Sequence, residues 1–171
     1  GKFELQMIIP KDINYKVGYG RLSMYAYDEL NGLDAMGANE DLLIGGSTDD
    51  IMPDNVGPNI VLTTNGKKYK DGYKVNPNPM IFVDLSDASG INATGSSIGH
   101  NITLTIDGNT KNVISLNSYF KYNTASCTEG RVEYHIEDAL SEGWHTINIK
   151  AWDLQSNSSE STIRIYVNEN L

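Results

Sequence analysis

Alternation of apolar and polar residues with a period of two is the feature that most constrains the fold of this chain. Val132, Tyr134 and Ile136, for example, alternate with polar neighbours. Successive side chains of a β-strand point to opposite faces of a sheet, so this spacing predicts strands with one face in a core and the other in solvent. The alternating segments are residues 3–9, 22–26, 102–106, 132–136 and 163–167.

Turn signals between these segments set the fold class. Each places a glycine where positive φ is favoured: Asn65-Gly66, Asp71-Gly72, Ser89-Gly90 and Asp107-Gly108. Continuous apolar stretches at residues 60–62 and 80–83 are typical of strands that are covered on both sides. Helical spacing is nearly absent, and only residues 136–142 suit a short helical turn. The sequence therefore predicts an all-β chain.

Proline and glycine cluster in residues 46–58 and interrupt the apolar spacing there, which predicts a linker at residues 53–57. Residues 58–171 contain about eight strand patterns, which favours an immunoglobulin-like antiparallel β-sandwich. Residues 1–52 contain about three strand patterns, which are too few for a stable core. We therefore predict that these residues belong to an upstream β domain. The acidic residues 28–41 within this part are predicted to be a connection.

Charge and motifs exclude several function classes. The chain of 171 residues has 13 basic and 22 acidic side chains, a net charge of −9, which argues against nucleic acid or an anionic membrane surface as a partner. No apolar run approaches the roughly 18 residues of a membrane-spanning helix, so no transmembrane segment is predicted. The chain contains no GxGxxG, phosphate-loop or HExxH motif.

The single cysteine, Cys127, is the first candidate for chemistry. It lies in a polar segment without a helix behind it, and His100, His135 and His145 lie at strand ends or on solvent faces. A nucleophilic thiol needs a helix N-terminus or a histidine to favour the thiolate. We therefore predict an inert loop thiol, no catalytic residue and no cofactor other than the calcium considered next.

Acidic residues in the linker are the second candidate. Asp49, Asp50, Asp54 and Asn55 supply the oxygen ligands that calcium prefers, and irregular backbone between two β units can gather them. They are the predicted calcium ligands of this chain. The alternative is that these residues only cap turns through their own backbone, as Asp and Asn commonly do. A further acidic turn contains Asp153 and Asn157.

Tyrosine is abundant, with 10 residues against 3 phenylalanines. Tyr25 and Tyr27 share one strand face, and Tyr119 and Tyr122 are close in sequence. Exposed tyrosine rings can stack on sugars, which makes a glycan a candidate ligand. Packing at a sheet or domain boundary accounts for them equally well, because the ring is buried while the hydroxyl stays hydrated.

Several short segments, in this order along almost the whole chain, resemble the C-terminal part of the gingipain-type cysteine peptidases that act as sortases of the type IX secretion system. The segments are residues 9–13 (IPKDI), 20–28 (GRLSMYAYD), 41–46 (DLLIGG), 54–58 (DNVGP), 87–92 (DASGIN), 98–102 (IGHNI), 106–108 (IDG) and 143–153 (GWHTINIKAWD).

The resemblance implies a parent in which all-β domains follow a caspase-like domain with a Cys–His dyad. That family removes the C-terminal sorting domain of secreted cargo and attaches the new terminus to an anionic lipopolysaccharide. Its catalytic residues precede the matched region, so the resemblance implies a non-catalytic fragment of an exported peptidase at the cell surface or outer membrane. The implied partners are the upstream catalytic domain, cargo proteins and secretion-system components. A free-standing binding module for glycan or calcium is the alternative.

Overall fold

The computed structural model describes residues 4, 6–11, 13–14, 16–47, 53–64, 67–95 and 99–171. Within these residues the regular structure is strand, apart from a 3₁₀ turn at Asn117–Tyr119, which confirms the all-β prediction. The strands are β1 (Gly18–Asp28), β2 (Leu33–Ile44), β3 (Asn59–Thr64), β4 (Lys67–Lys68), β5 (Tyr73–Val75), β6 (Met80–Ser86), β7 (Thr103–Ile106), β8 (Ile114–Ser115), β9 (Phe120–Tyr122), β10 (Glu129–His135), β11 (Gly143–Trp152) and β12 (Ser158–Val167).

The chain divides into two compact units. One consists of Ile13–Pro53, and the other combines Gly1–Asp12 with Asp54–Leu171. The N-terminal residues are tied to the second unit by the Lys11 N–H, which donates to the Leu154 carbonyl at 2.8 Å. Assignment of residues 1–52 to an upstream domain and of residues 53–57 to a linker stays a prediction. Within the described residues no helix is long and apolar enough to cross a membrane.

The first unit is a β-hairpin. β1 and β2 pair antiparallel from Gly18 opposite Ile44 to Asp28 opposite Leu33, with a register shift between Gly20 and Leu22. At the tip, the Asp28 carboxylate accepts the Leu30 N–H at 3.0 Å, a local bond that favours the turn.

The prediction of a connection at residues 28–41 was wrong, since most of these residues form β2. The sequence of β2 is rich in Ala, Gly, Asn and Asp, so its side chains carry little strand signal. Its conformation is set by the hydrogen-bonded pairing with β1.

The second unit is a sandwich of two five-stranded sheets. One has the order β4-β3-β6-β10-β9 and the other the order β5-β12-β11-β7-β8. Neighbouring strands are antiparallel except β12 and β5, which are parallel. The β-sandwich prediction is confirmed, and its immunoglobulin type stays a prediction.

The core of the sandwich follows from the period of two. In β10, Gly130, Val132 and Tyr134 are buried while the residues between them reach the surface. β6 and β11 repeat the pattern. Buried side chains from both sheets meet in one cluster, including Leu62, Ile81, Val83, Leu85, Leu104, Phe120, Val132, Ile147, Ile149, Ile165 and Val167. The opposite faces of the same strands therefore carry the polar side chains available for function.

Two further local predictions were wrong. The described part of residues 3–9 lies outside any strand. Its side chains alternate, but these residues do not pair with a neighbouring strand. Residues 136–142 form no helix, because their amides bond elsewhere: Ile136 donates to the Pro79 carbonyl and Leu140 to the Pro77 carbonyl. The predicted turns at Gly72, Gly90 and Gly108 have positive φ of 79°, 86° and 65°. The Asn65-Gly66 turn lies outside the described residues.

Candidate functional site

Cys127 lies in the loop between β9 and β10, where its thiol is partly exposed. Within the described residues no histidine hydrogen-bonds it. The ionisable neighbour it influences is Tyr122: burial of the phenol, and secondarily the nearby thiol, raise the pKa of Tyr122. His100 stacks on Trp152, with 4.1 Å between the two ring centres, and His135 is exposed at the end of β10.

His145 has hydrogen-bond partners at both ring nitrogens. Nδ1 lies 2.7 Å from the Asp107 carboxylate, and Nε2 lies 2.8 Å from the Ser141 carbonyl and 3.4 Å from the Ser141 hydroxyl. Burial alone would lower the pKa of His145, but these hydrogen bonds outweigh it and raise that pKa. When the ring is protonated, both nitrogens donate, and His145 then links the Asp107 carboxylate to the Ser141 carbonyl. The shorter contact to the carbonyl argues against a general base that activates Ser141.

Three carboxylates converge at one end of the sandwich. Oxygen atoms of Asp54, Asp87 and Asp153 lie within 4.8 Å of one another, with Asp153 buried and the other two half-buried. Backbone pairing brings the turns together: Ile91 bridges to Asp153, and the Leu154 N–H donates to the Gly90 carbonyl at 3.1 Å. We call these three residues the aspartate cluster.

Hydrogen bonds from the chain itself hold the cluster. The Asp153 carboxylate accepts the backbone N–H groups of Gln155 at 2.9 Å and Asn157 at 2.7 Å, and the Asn157 amide at 2.7 Å. The Ser89 hydroxyl donates to Asp54, and the Ser89 N–H donates to Asp87 at 2.7 Å. Asp153 thereby closes its own turn and fixes the position of the other two carboxylates.

The cluster members differ in acidity. Partial burial, together with the negative charges of Asp153 and Asp54, raises the pKa of Asp87 despite the Ser89 N–H. The hydrogen bond from the Ser89 hydroxyl, followed by that from the Val56 N–H, lowers the pKa of Asp54. Such a group of oxygens can attract a hard divalent cation, or relieve its repulsion by taking up a proton at acidic pH.

The structure brings together only part of the predicted calcium site. Asp54 lies in the cluster, Asn55 is exposed beside it in sequence, and Asp49 and Asp50 lie outside the described residues. Its partners in the structure are Asp87, which the sequence did not single out as a ligand, and Asp153, which the sequence placed in a further acidic turn; each begins a turn whose backbone it caps. That capping pattern is visible in the sequence, but the meeting of the two turns depends on the fold. Calcium binding stays a prediction.

The hairpin is the second functional candidate because it exposes large apolar side chains on both faces. Tyr19, Tyr25 and Tyr27 lie on one face of β1, with Met36 opposite Tyr25 and Leu43 opposite Tyr19. Met36 is 85% exposed and the tip residue Leu30 is 96% exposed. In the described residues β1 and β2 pair only with each other, so each also has an unpaired outer edge.

No family model matches the chain, and no curated protein matches it. Among solved structures it is similar to PorU from Porphyromonas gingivalis, known from a crystal structure of the dimeric latent form, with a TM-score of 0.64. The chain is similar to one region of PorU. The two are 34% identical, over 96% of this chain and 15% of PorU. The likeness therefore extends to sequence as well as fold, and it concerns a small part of that protein.

Proposed function

We propose that this chain is a non-catalytic β-sandwich region of an exported, gingipain-type cysteine peptidase that acts as a type IX secretion system sortase. The 34% identity to PorU over 96% of the chain supports this parent. The surroundings of Cys127 and of the histidines in the described residues support a non-catalytic role for the fragment. In this proposal cleavage of cargo and its attachment to the cell surface belong to the rest of the parent.

The observation that supports a docking role is the exposure of large apolar side chains on the β1–β2 hairpin. An isolated two-stranded ribbon is at best marginally stable in water. A ribbon with apolar side chains on both faces is stabilised when another protein surface packs over those side chains and removes them from water. Its unpaired edges also suit addition of another strand. We assign the cover to the remainder of the parent polypeptide, because the related PorU chain is several times longer than this one. Cargo and secretion-system components are the other candidate partners.

Substitutions in the full-length parent test this role. Met36→Asp places a charge in the centre of the exposed hairpin face, opposite Tyr25, and we expect it to release the hairpin from its cover. Arg21 in β1 then becomes accessible to trypsin, and cargo processing falls. Val113→Asp is the matched control, because Val113 is also exposed, at 48%, but lies in a loop of the sandwich.

The expected result is rapid cleavage after Arg21 in the Met36→Asp parent and slow cleavage in the wild-type and Val113→Asp parents. Equal rates in the wild-type parent and in the separate 171-residue chain would mean that nothing in the parent covers the hairpin. That outcome would contradict the docking proposal.

Cation binding by a free-standing surface module is the second candidate function. The convergence of Asp54, Asp87 and Asp153 favours it, because the three supply oxygen atoms from separate turns to one point. Calcium takes six to eight oxygen ligands, so additional carbonyl or water oxygens would complete its coordination. A change in melting temperature on adding a chelator distinguishes this function from simple turn capping.

A further inference from the structure

The β1–β2 hairpin has the long free strand edges of the described structure. β1 and β2 pair only with each other among the described residues, so each has one edge whose backbone groups face away from its partner. These strands have 11 and 12 residues. The outermost strands of the sandwich, β4, β5, β8 and β9, have only two or three residues each, which leaves little edge for another chain to pair with.

A β-bulge interrupts the edge of β2. The register of the hairpin shifts where two residues of β2, Glu40 and Asp41, lie opposite the single residue Arg21 of β1. A bulge bends its strand and disrupts the even spacing of the backbone groups. The Asp41 N–H is also used within β2, since it donates to the Asn39 side-chain oxygen at 2.9 Å. Bulges and charged side chains protect edge strands from pairing, and β2 contains a further charge at Asp34.

The edge of β1 has no such protection. This strand contains neither lysine nor proline, and the extra residue of the bulge lies in β2, so the backbone of β1 continues without interruption over Gly18–Asp28. The one cation of β1, Arg21, forms an ion pair across the ribbon with Glu40, with 3.1 Å between Nη1 and Oε1. The guanidinium is therefore directed toward β2 and away from the outer edge. The two edges thus differ, and β1 has the edge that is open to pairing.

The side chains of β1 determine which kind of strand can lie beside it. Tyr19, Tyr25 and Tyr27 lie on one face, and Leu22 and Met24 lie on the other. A strand added to β1 places its own side chains next to these, and aromatic or β-branched residues form favourable cross-strand pairs with them. Any cover over the two apolar faces of the ribbon extends over the added strand. Strands that are covered on both faces have nearly continuous apolar sequences.

We infer that the outer edge of β1 pairs with an apolar β-strand from the remainder of the parent polypeptide. The inference rests on the proposed function, which assigns the cover of the hairpin to the same polypeptide. This chain matches only 15% of PorU, so a parent of that kind has many strands outside it. A second copy of this chain is the less suitable partner, because each copy has a net charge of −9 and like-charged copies repel each other. Main-chain hydrogen bonds supply the affinity in strand addition of this kind.

Residue-resolved hydrogen exchange of the full-length parent tests the inference. In an antiparallel two-stranded ribbon every second amide of a strand bonds to the partner strand, and the others point outward. We expect consecutive amides of β1, over residues 22–27, to exchange slowly in the parent because both sets are hydrogen-bonded. In β2, over residues 34–39, we expect slow exchange at every second amide only.

Ser23→Lys and Ala38→Lys are a matched pair of variants of the parent. Ser23 and Ala38 are paired in register, both are exposed, and both line the same depression in the hairpin surface. A lysine at either position disturbs a cover over that face, whereas only Ser23→Lys brings a charge to the edge of β1. We expect Ser23→Lys to accelerate exchange of the outward β1 amides by at least about tenfold, and Ala38→Lys to leave them slow.

The outcomes separate this inference from the proposed function. Slow exchange at only every second β1 amide, in a parent that resists trypsin at Arg21, would overturn the inference and leave the proposed cover intact. Rapid exchange throughout β1 together with rapid cleavage after Arg21 would contradict both. Equal acceleration by Ser23→Lys and Ala38→Lys would mean that the cover contacts the faces alone, which overturns the inference. Slow exchange at consecutive β1 amides in a dimer of the separate 171-residue chain would identify a second copy as the partner and equally contradict it.

Discussion

At the scale of single residues, His145 is a side chain whose protonation we expect to affect the stability of the fold. Its ring joins the Asp107 carboxylate to the Ser141 carbonyl, and these bonds raise its pKa in the folded chain against the opposing effect of burial. A raised pKa means that the folded state binds the proton more tightly than the unfolded state does. The resulting stabilisation is complete below the unfolded value of about 6.5 and is lost as the pH rises through the folded value.

We therefore expect His145→Gln to lower the melting temperature more at about pH 5.5 than at about pH 8.5. Ser141→Ala is the control: it removes only the hydroxyl at 3.4 Å and keeps the carbonyl, so its effect should be small at both pH values. Melting curves over this pH range measure the difference. A His145→Gln effect that does not change with pH would contradict the role of the charged ring.

Asp87 gives the second prediction at this scale. Burial and the neighbouring Asp153 and Asp54 raise its pKa, so its charged form destabilises the folded chain above that pKa, and the penalty disappears as the pH falls through it. Asp87→Asn keeps an oxygen for the Ser89 N–H and removes the charge. In the presence of a chelator at about pH 7 we expect it to raise the melting temperature, whereas the exposed control Asp138→Asn should not.

Calcium addition separates the two interpretations of the aspartate cluster. If the cluster binds calcium, the ion raises the melting temperature of the wild-type chain and has little effect on Asp87→Asn. Equal insensitivity of both proteins to calcium would contradict the calcium prediction and leave the cluster as a set of turn caps.

At the scale of elements, alternation predicted the strands of the sandwich because each has a buried partner face. β10 is the clearest case, since Val132 and Tyr134 are buried as their spacing predicts. The same rule missed β2, whose exposed Ala, Gly and Asn residues carry no alternation, and it assigned a strand near Met7, where the described residues form no ladder. In both segments, pairing with a neighbouring strand determined whether a strand formed, and the side-chain pattern does not encode that pairing.

Gly130 in β10 provides a prediction about sheet packing. A Cβ at this position would lie 2.3 Å from the Phe120 ring and 2.6 Å from the Lys121 carbonyl oxygen. Gly130→Ala must therefore push β9 away from β10, at a cost of about 1–3 kcal/mol in the free energy of unfolding. Glu129→Ala, at the exposed neighbouring position, should change it by no more than about 0.5 kcal/mol. Chemical denaturation measures both, and equal effects would contradict the packing argument.

At the scale of the whole molecule, the candidate sites depend on distant segments that no local pattern connects. The acidic linker indicated Asp54, but its partners Asp87 and Asp153 come from two turns that are brought together by long-range backbone bonds, the Ile91–Asp153 bridge and the Leu154–Gly90 hydrogen bond among them. In the same way, Asp84 and Arg131 are 47 residues apart in sequence, and their ion pair became apparent only from the register of β6 and β10.

Division of the chain into two units leads to the last prediction. The sandwich has a common core between two five-stranded sheets, whereas the hairpin strands pair only with each other among the described residues. Ile149→Ala removes a fully buried side chain from that core and should cost about 2–5 kcal/mol in the main unfolding transition. Met36→Ala, at an exposed hairpin position, should change that transition by no more than about 0.5 kcal/mol. Calorimetry of the 171-residue chain compares the two, and a comparable loss in Met36→Ala would mean that hairpin and sandwich unfold as a single cooperative unit.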